Sequence, residues 1–193
     1  MIDRKRQNGF SLIELLVAMV IFTVGLLSIA GLQAVAKKSN YESNQRTTAS
    51  HIAYGLLEEM RANGNGIATY LAAPDLGGGV IGAEPVPNCK DAAAPCTAQQ
   101  KAAHDLWFWE QTLDGEQEAA QGGAAGGMLN PTLCIDGPAG GIAGIYGVSV
   151  AWQGPISMAN SNISDCGAGT GKYGAGDEFR RVLRITTYID PNI

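Results

Sequence analysis

The sequence has few of the residues that most catalytic and metal-binding sites require. Its 193 residues include 2 histidines, His51 and His104, and contain neither a His-Glu-x-x-His nor a Gly-x-Ser-x-Gly motif. The helix of the common zinc peptidases and the nucleophile elbow of the α/β-hydrolases are therefore excluded. No pair of carboxylates stands in an identifiable cleft either. We expect no enzymatic activity, no bound metal and no cofactor.

Basic residues are scarce and scattered. The chain has 13 Lys and Arg residues against 18 Asp and Glu residues, a formal net charge of -5 and a pI near 5.0. Only Arg4, Lys5 and Arg6 form a basic cluster. Because phosphate binding needs clustered Lys and Arg, this composition argues against nucleic acid as a partner.

A polar, glycine-rich connection in the C-terminal part lacks a complete ligand-binding motif. Residues 167–176 do not have the Gly-Lys-Ser/Thr ending of a P-loop, so they predict no nucleotide site. Asp165, Asp177 and Glu178 are acidic, but their spacing fits no EF-hand loop. We interpret the segment as a solvated loop rather than a calcium site.

One long apolar run is present near the N-terminus. Residues 15–36 carry no charge, and as a helix they extend about 33 Å, which matches a bilayer core of roughly 30 Å. A cleaved secretory signal would have a shorter apolar core and a small-residue cleavage motif. Three basic residues precede the run, whereas only Lys37 and Lys38 follow it closely. This asymmetry favours a cytoplasmic N-terminus, with the bulk of the chain outside.

The four cysteines all follow the apolar run: Cys89, Cys96, Cys134 and Cys166. An even number of cysteines in a small extracytoplasmic domain predicts two disulfides, for which three connectivities exist. We favour Cys89 with Cys96, because this pair closes a short proline-containing loop, and Cys134 with Cys166. A zinc site is the rival interpretation, but the sequence has no Cys-x-x-Cys.

Residues 37–63 are predicted to continue the apolar run as an amphipathic helix. Apolar residues recur there at helical spacing and form one stripe: Ala49, Ile52, Ala53, Leu56 and Met60. The Asn-Gly-Asn-Gly sequence at 63–66 supplies a stop. We expect the stripe to pack under a sheet. His51 lies beside it and is interpreted as a solvated or core-edge residue, because no second ligand accompanies it.

The middle of the chain is predicted to contain a loop and then a helix. Residues 64–96 are rich in Gly, Ala and Pro, which favours a loop over a packed element. Thr97 and Gln100 have the spacing of a capping box and predict a short helix over 98–113.

The apolar content of this helix lies mainly in Trp107, Phe108 and Trp109. We interpret the three side chains as core rather than as an aromatic binding patch. His104 and Asp105 are adjacent in sequence, so they point in different directions on a helix and make a poor catalytic pair.

The C-terminal part changes to a period of two residues. In YGVSVAW, one face carries Tyr146, Val148, Val150 and Trp152. In FRRVLRITTYI, one face carries Phe179, Leu183, Ile185 and Ile189. Both segments predict strands, and MLNPTLCID is a candidate for a third. The fold class is therefore α+β, with a long N-terminal helix packed on a small antiparallel sheet.

A short motif precedes the apolar run. Residues 9–14 read GFSLIE, and Gly9, Phe10 and Glu14 match, position by position, the processing site of type IV prepilins and pseudopilins, which this segment resembles. The resemblance implies that a basic leader is removed after Gly9 and that Phe10 is then N-methylated. By the same resemblance, Glu14 would be the fifth residue of the mature chain and an assembly contact. It would neutralise the Phe10 ammonium of a neighbouring subunit, where an unpaired charge in lipid is costly.

The resemblance divides the chain into four segments. They are a leader (1–9), a transmembrane and assembly helix (10–36), its amphipathic continuation (37–63) and a disulfide-bonded periplasmic domain (64–193). The apolar helix lacks the proline found in many major pilins. Its Gly25 and Gly31 are open to two interpretations, local melting in a filament or small-residue packing between membrane helices.

Further features resemble the PilV-type minor pilins. They are the stretches GLLSIAGLQ, GLLEEMRAN and YGVSVAW, and the Cys89/Cys96 loop that leads into HDLWFWE. This resemblance implies a minor pilin of the type IV pilus, or fimbrium, in a priming or tip complex that promotes pilus assembly, twitching motility and adhesion. Its partners would be other minor pilins, the major pilin and prepilin peptidase. It would reside in the inner membrane as a single-pass protein and then in the pilus.

Two other functions remain open from the sequence. A minor pseudopilin of a type II secretion system shares the whole N-terminal pattern. A membrane-anchored periplasmic enzyme would require paired Asp or Glu residues from distant loops, and no motif supports it.

Overall fold

The computed structural model describes residues 9–90, 95–118 and 127–192. Residues 1–8 of the predicted leader therefore lie outside the described residues. The chain divides into two units, Met1–Tyr41 and Glu42–Ile193. Helix α1, Leu12–Ala62, contributes residues to both units.

In the first unit, α1 is apolar and exposed. An 18-residue window of this helix has a mean hydropathy of 2.6, and none of it is buried, so the helix is long and apolar enough to cross a membrane. Two hydroxyls within it are satisfied by the helix itself. Thr23 Oγ1 donates to the Val20 carbonyl at 2.9 Å and Ser28 Oγ to the Val24 carbonyl at 3.0 Å. These side chains therefore need no partner outside the helix in an apolar medium.

In the second unit, α1 forms one side of the core. The five residues of the predicted stripe are all fully buried: Ala49, Ile52, Ala53, Leu56 and Met60. They belong to the same cluster as Tyr146, Val148 and Val150 of the sheet. The predicted packing of this stripe under a sheet is confirmed.

The sheet consists, within the described residues, of β1 (Thr132–Asp136), β2 (Gly144–Gln153) and β3 (Arg180–Ile189). The strands are antiparallel in the order β1-β2-β3. Tyr146, Val148, Val150 and Trp152 of β2 are all buried, as the period of two predicted. The α+β class and all three strands are confirmed.

The segment predicted as an unpacked loop, 64–96, begins with packed structure. A 3₁₀ turn, Gly64–Gly66, leads into helix α2, Ile67–Leu71. Tyr70 is fully buried, and Leu76 pairs with Leu133 of β1 through two main-chain hydrogen bonds of 2.9 Å. The loop prediction is wrong for this part, because two apolar side chains of a five-residue helix gain a core that composition alone does not reveal.

Helix α3, Ala98–Asp114, starts at the predicted capping box and ends at Gly115 in the left-handed region, with φ of 79°. Trp109 is buried in the core and Phe108 packs against it. Trp107 is outside this cluster, and its Nε1 donates to the Gly82 carbonyl at 3.3 Å. The prediction of three core aromatics is therefore correct for two of them, while the third covers the preceding loop.

The connection between β2 and β3 folds back over the outer face of the sheet. Cys166 in this connection is bonded to Cys134 of β1. A second cluster of buried residues forms here, with Ala151, Cys166 and Tyr173. Arg180, which is 3% exposed, donates to the carbonyls of Ser164 and Cys166 at 2.8 and 2.9 Å. The predicted solvated loop is thus partly ordered by one buried guanidinium and one disulfide.

Candidate processing and assembly site

The residues of the prepilin-like motif lie at the start of α1. Gly9, Phe10 and Ser11 are not helical, and the helix begins at Leu12. The Ser11 carbonyl accepts the N–H groups of Glu14 and Leu15 at 3.1 and 3.2 Å. Ser11 is therefore the first residue whose carbonyl takes part in the helical hydrogen bonding. The peptide bond after Gly9 lies before this point, outside the helix.

The same bond is accessible. Gly9 is exposed, a side-chain atom added to it would meet nothing within 4 Å, and Phe10 is 88% exposed. A peptidase needs an accessible and non-helical segment to bind its substrate. The described geometry at residues 9–11 provides both conditions.

Glu14 lies in the first turn of α1 and is exposed. Its carboxylate is therefore near the positive end of the helix dipole, which stabilises negative charge. The neighbouring side chains are apolar and exposed, among them Leu12, Ile13 and Leu15. In such surroundings the transfer of a carboxylate into lipid is costly unless a cation neutralises its charge.

The surface of the apolar part of α1 is open along its length. Its exposed large side chains extend from Leu12 to Val35. An added side-chain atom at Gly25 or Gly31 meets nothing within 4 Å. Both interpretations of these glycines stay open, and the surrounding surface is suited to lipid or to the helices of other subunits.

The cysteines lie in the pairs expected from the sequence. Cys89 is bonded to Cys96, and Cys134 to Cys166, with a Cα–Cα distance of 5.7 Å in each pair. The first pair closes a loop that leads into α3. The second fastens the β2–β3 connection to β1.

The two histidines lie in different environments, one exposed and one buried. His51 is exposed, and its ring meets that of Trp109 edge-on with centroids 5.9 Å apart. His104 is buried, with Nε2 3.5 Å from Glu84 Oε1. Asp105, the neighbour of His104, binds other partners. Within residues 9–90, 95–118 and 127–192, neither histidine is placed with both a carboxylate and a nucleophilic side chain in the arrangement of a catalytic triad.

A polar network joins α1, α2 and α3 around Asp105. The carboxylate accepts the Tyr70 hydroxyl and the Lys101 ammonium, and Lys101 Nζ also donates to Glu59 Oε2 at 2.8 Å. Burial and the bond to Asp105 raise the pKa of the Tyr70 phenol. Burial opposes the charge of Lys101, but its bonds to Glu59 and Asp105 outweigh this and raise the pKa of the ammonium. The network keeps Tyr70 neutral and Lys101 charged. We interpret its role as holding the three helices together.

Two of the three acidic residues considered for calcium, Asp177 and Glu178, accept hydrogen bonds from the main chain. Asp177 Oδ2 accepts the Gly169 N–H at 2.8 Å, and Glu178 Oε2 accepts the Gly176 N–H at 2.9 Å. Among the described residues, no group of three His, Cys, Asp or Glu side chains is placed to hold a metal ion. These carboxylates shape the connection rather than converge on a site.

Two acidic residues that hold the main chain of a loop, Glu110 and Asp114, were not identified from the sequence. Glu110 is fully buried and accepts three main-chain N–H groups, those of Gly77, Val80 and Ile81, at 2.7 to 2.9 Å. Asp114 accepts those of Gly78 and Gly79 at 2.9 Å. The available signal was the pair of acids one turn apart on α3 together with the run Gly77-Gly78-Gly79, whose amides need acceptors.

The fold and the N-terminal geometry define a class of protein: an apolar, exposed helix with a non-helical start, continued as the spine of a small disulfide-bonded α+β domain. The model of the prokaryotic N-terminal methylation motif matches residues 4–30. The model described as type IV pilin Tt1218 matches residues 31–107. No curated protein and no solved structure matches the chain.

The two matches adjoin and together cover more than half of the chain, from residue 4 to residue 107. The chain belongs to the type IV pilin-like proteins. Pilin families are structural and non-enzymatic. The motif implies processing by prepilin peptidase and interaction with other pilins, and with the apolar helix it indicates a membrane-anchored pilin.

Proposed function

We propose that this protein is a minor pilin of the type IV pilus, of the PilV type, that joins other minor pilins in a priming or tip complex. In this role it promotes pilus assembly, and through the pilus it supports twitching motility and adhesion. The observation that carries the proposal is the prepilin-like motif at the exposed, non-helical start of a 51-residue helix.

Processing is the first step of the proposed role. Prepilin peptidase cuts after Gly9, the new amino group of Phe10 is methylated, and the leader, residues 1–9, is lost. The accessibility of Gly9 and Phe10 supports this step. The apolar segment 10–36, which is helical from Leu12 onward, then holds the subunit in the inner membrane.

Glu14 acts in assembly. Its carboxylate neutralises the Phe10 ammonium of a neighbouring subunit, which would otherwise be an unpaired charge in an apolar filament core. The exposed position of Glu14 in the first turn supports this contact. The apolar surface of α1 supplies the remaining lateral contacts between subunits.

The globular part lies in the periplasm. The two disulfides, between Cys89 and Cys96 and between Cys134 and Cys166, support this placement, because such bonds persist in oxidising compartments. The basic residues before the apolar run support it as well. Residues 37–63 then form the spine of the globular part, and residues 64–193 form the rest of it.

The first experiment determines the mature N-terminus. Intact mass and N-terminal sequencing of the protein from membranes of its own host should find a chain that begins with N-methylated Phe10. Gly9→Val should block this cleavage, because the peptidase site requires the glycine. Gly25→Ala is the matched control and should be processed normally. A chain that keeps its leader in processing-competent cells would contradict the proposal.

The second experiment tests Glu14. Glu14→Gln keeps the size of the side chain and removes its charge, so the variant should be processed and reach the membrane but be depleted from sheared pili. Glu14→Asp, which keeps the charge, should retain part of the incorporation. Equal amounts of wild type and Glu14→Gln in the pilus fraction would refute the assembly role.

The third experiment separates the pilus from a secretion system. A deletion strain should lose pili and twitching motility and regain both with the intact gene. The description of the second family model as a type IV pilin supports the pilus. Normal pili together with blocked release of exoproteins would instead identify a minor pseudopilin of a type II secretion system.

A further inference from the structure

The two edges of the sheet differ in how they are covered. On the β1 side, Leu133 and Leu76 exchange two main-chain hydrogen bonds of 2.9 Å, so this edge is partly paired. On the β3 side, the preceding connection covers only the beginning of the strand: Met158 N–H donates to the Glu178 carbonyl at 2.8 Å, and Arg181 Nη2 donates to the Ile156 carbonyl at 2.7 Å. Beyond Arg181, β3 is an edge strand.

The register shows which amides of β3 face outward. Gly154 N–H donates to the Phe179 carbonyl one step beyond the pair Gln153–Arg180. Because bonded and non-bonded pairs alternate along an antiparallel ladder, the odd-numbered residues of β3 bond to β2. The N–H and C=O groups of Val182, Arg184, Thr186 and Tyr188 therefore point to the open side. In the part of the chain that the structure describes, none of these groups has another hydrogen-bond partner.

The open part of β3 lacks the features that usually protect an edge. Its pairing with β2 continues without a bulge from Arg180 to Ile189, and the strand contains neither proline nor lysine. Its one charged side chain beyond Arg181 is Arg184, which binds Asp136 of β1. The last five residues of the strand, ITTYI, are uncharged and are strong strand formers.

A groove of about 530 Å³ adjoins this edge. It is lined by Leu183 of β3 and by a row of α1 side chains: Ser43, Arg46, Thr47, Ser50, His51 and Tyr54. Contacts of α1 with β3 flank it at both ends, Glu42 with Arg181 at 3.0 Å and Arg61 with Thr187.

The groove is positively charged. Arg46 is exposed, and no carboxylate of the described residues forms an ion pair with it. The acids of α1 on either side, Glu42 and Glu58, are bound to Arg181 and Arg61. An occupant that carries a carboxylate complements this charge.

We propose that the open edge of β3 pairs with an extended, acidic segment of a neighbouring pilin subunit, whose main chain continues the sheet and whose carboxylate binds Arg46 in the adjoining groove. This inference rests on the proposed function, because only an assembling pilin meets such neighbours. The outward amides supply the affinity of strand addition, and the groove supplies the specificity. Pairing of two copies of this chain through their β3 edges does not satisfy these conditions. The segment 182–189 contains no carboxylate to bind Arg46, and such pairing would bring two positively charged grooves together.

The main-chain part of the proposal is tested by Thr186→Pro, which removes an outward N–H that β2 does not use. Proline is tolerated at an edge with this orientation, so the variant should fold. Thr186→Ala is the matched control, since it loses the same side chain but keeps the N–H. The charge is tested by Arg46→Glu, with Arg46→Lys as its control.

The readout is photo-crosslinking of the full chain in membranes of its own host. A benzophenone amino acid replaces Tyr188, which is 60% exposed at the open edge, or Ile142, a 63% exposed control in the loop before β2. Adducts are mapped by mass spectrometry. We expect an adduct from position 188, and not from position 142, to an acidic segment of another pilin-like subunit. Thr186→Pro should abolish it, and Arg46→Glu should lower its yield about tenfold, as expected for the loss of one desolvated charge pair, while both controls retain it.

Several results would overturn the proposal. They are an adduct only to a second copy of this chain or to lipid, an adduct to a segment without carboxylates, an adduct that persists in both Thr186→Pro and Arg46→Glu, and no adduct at all. The N-terminus of each variant is sequenced in parallel. If the chain is processed after Gly9 and Thr186→Pro restores pili fully, the edge contact is refuted while the minor-pilin function stands. If the chain is not processed, the proposed function itself fails.

Discussion

Single buried polar side chains hold the loop between α2 and α3 in place. Glu110 has no exposed surface, and its carboxylate accepts three N–H groups of residues 77–81. Hydrogen bonds to a charged acceptor are stronger than neutral ones, and their removal leaves buried donors without partners. The loop conformation therefore depends on one residue of α3 that lies far from the N-terminal motif.

Glu110→Ala should lower the free energy of unfolding by about 3 kcal/mol, because three amides lose their acceptor. Denaturant titration of the detergent-solubilised chain, followed by tryptophan fluorescence, measures this loss. Glu116→Ala, an exposed acid just beyond α3, should change the stability by less than about 0.5 kcal/mol. Equal midpoints for the two variants would show that the loop does not depend on Glu110.

The network around Asp105 predicts a loss of stability at alkaline pH. Burial and the bond to Asp105 raise the pKa of Tyr70 above its ordinary 10.0. The folded state therefore keeps a proton that the unfolded chain releases, so the stabilisation is complete below pH 10 and is lost as the pH rises above it. The raised pKa of Lys101 acts in the same direction.

We expect the free energy of unfolding to fall as the pH rises above about 10, and to fall less steeply in Tyr70→Phe. At pH 8 the variant should be less stable by about 1 kcal/mol, because Asp105 loses a donor. Unfolding titrations at several pH values test both statements. If wild type and Tyr70→Phe lose stability in parallel, Tyr70 is not the responsible group.

At the scale of elements, α1 and α3 approach each other at a glycine. A side-chain atom built on Gly55 would overlap the six-membered ring of Trp109. The glycine thus allows a large aromatic side chain of α3 to pack against the main chain of α1. In an exposed helix the same glycine would be a disadvantage of about 1 kcal/mol relative to alanine.

Gly55→Ala should therefore destabilise the globular unit by about 2 kcal/mol through overpacking, although alanine favours the helix. Gly31→Ala is the same substitution in the same helix, at a position where an added atom meets nothing, and it should cause no loss. Trp109→Leu should reduce the penalty of Gly55→Ala in a double-mutant cycle. The interpretation fails if Gly55→Ala is as stable as Gly31→Ala.

At the scale of the whole molecule, the two disulfides constrain chain segments of different length. Cys134 and Cys166 are 32 residues apart and fasten the β2–β3 connection over the sheet. Cys89 and Cys96 are 7 residues apart and close only a local loop. Because the loop entropy removed from the unfolded chain grows with length, the longer bridge should contribute more stability.

Replacing both Cys134 and Cys166 by serine should lower the free energy of unfolding by about 4 kcal/mol, against about 2 kcal/mol for the same change at Cys89 and Cys96. A non-reducing peptide map of the wild type should first find both bridges and no free thiol. Denaturant midpoints of the two double variants then give the comparison. A larger loss for the short bridge would mean that local contacts outweigh loop entropy here.

The sequence was sufficient wherever a periodic pattern or a short motif is local. The apolar run, the buried stripe of α1, the capping box of α3 and the buried face of β2 all appear in the structure where the pattern placed them. Each depends on residues within a few turns or one strand of each other. For the same reason, Gly9, Phe10 and Glu14 can be recognised without any tertiary information.

The sequence did not predict features that depend on contacts between residues far apart in the chain. The packed helix α2, the outward position of Trp107 and the role of Glu110 depend on segments about 25 to 60 residues away, and no local pattern encodes such pairs. The open side of β3 is likewise invisible in the alternation of FRRVLRITTYI, since every strand of a sheet shows the same pattern.

By itself, then, the sequence determined the membrane-length helix, the pilin-like N-terminus and the α+β class, because these follow from local periodicity and from one contiguous motif. Only the tertiary structure decided which strand edge stays open, which acids hold the Gly77–Gly78–Gly79 turn and how the long connection covers the sheet. These features arise from hydrogen bonds and packing between residues remote in sequence, whose partners are selected only when the chain folds.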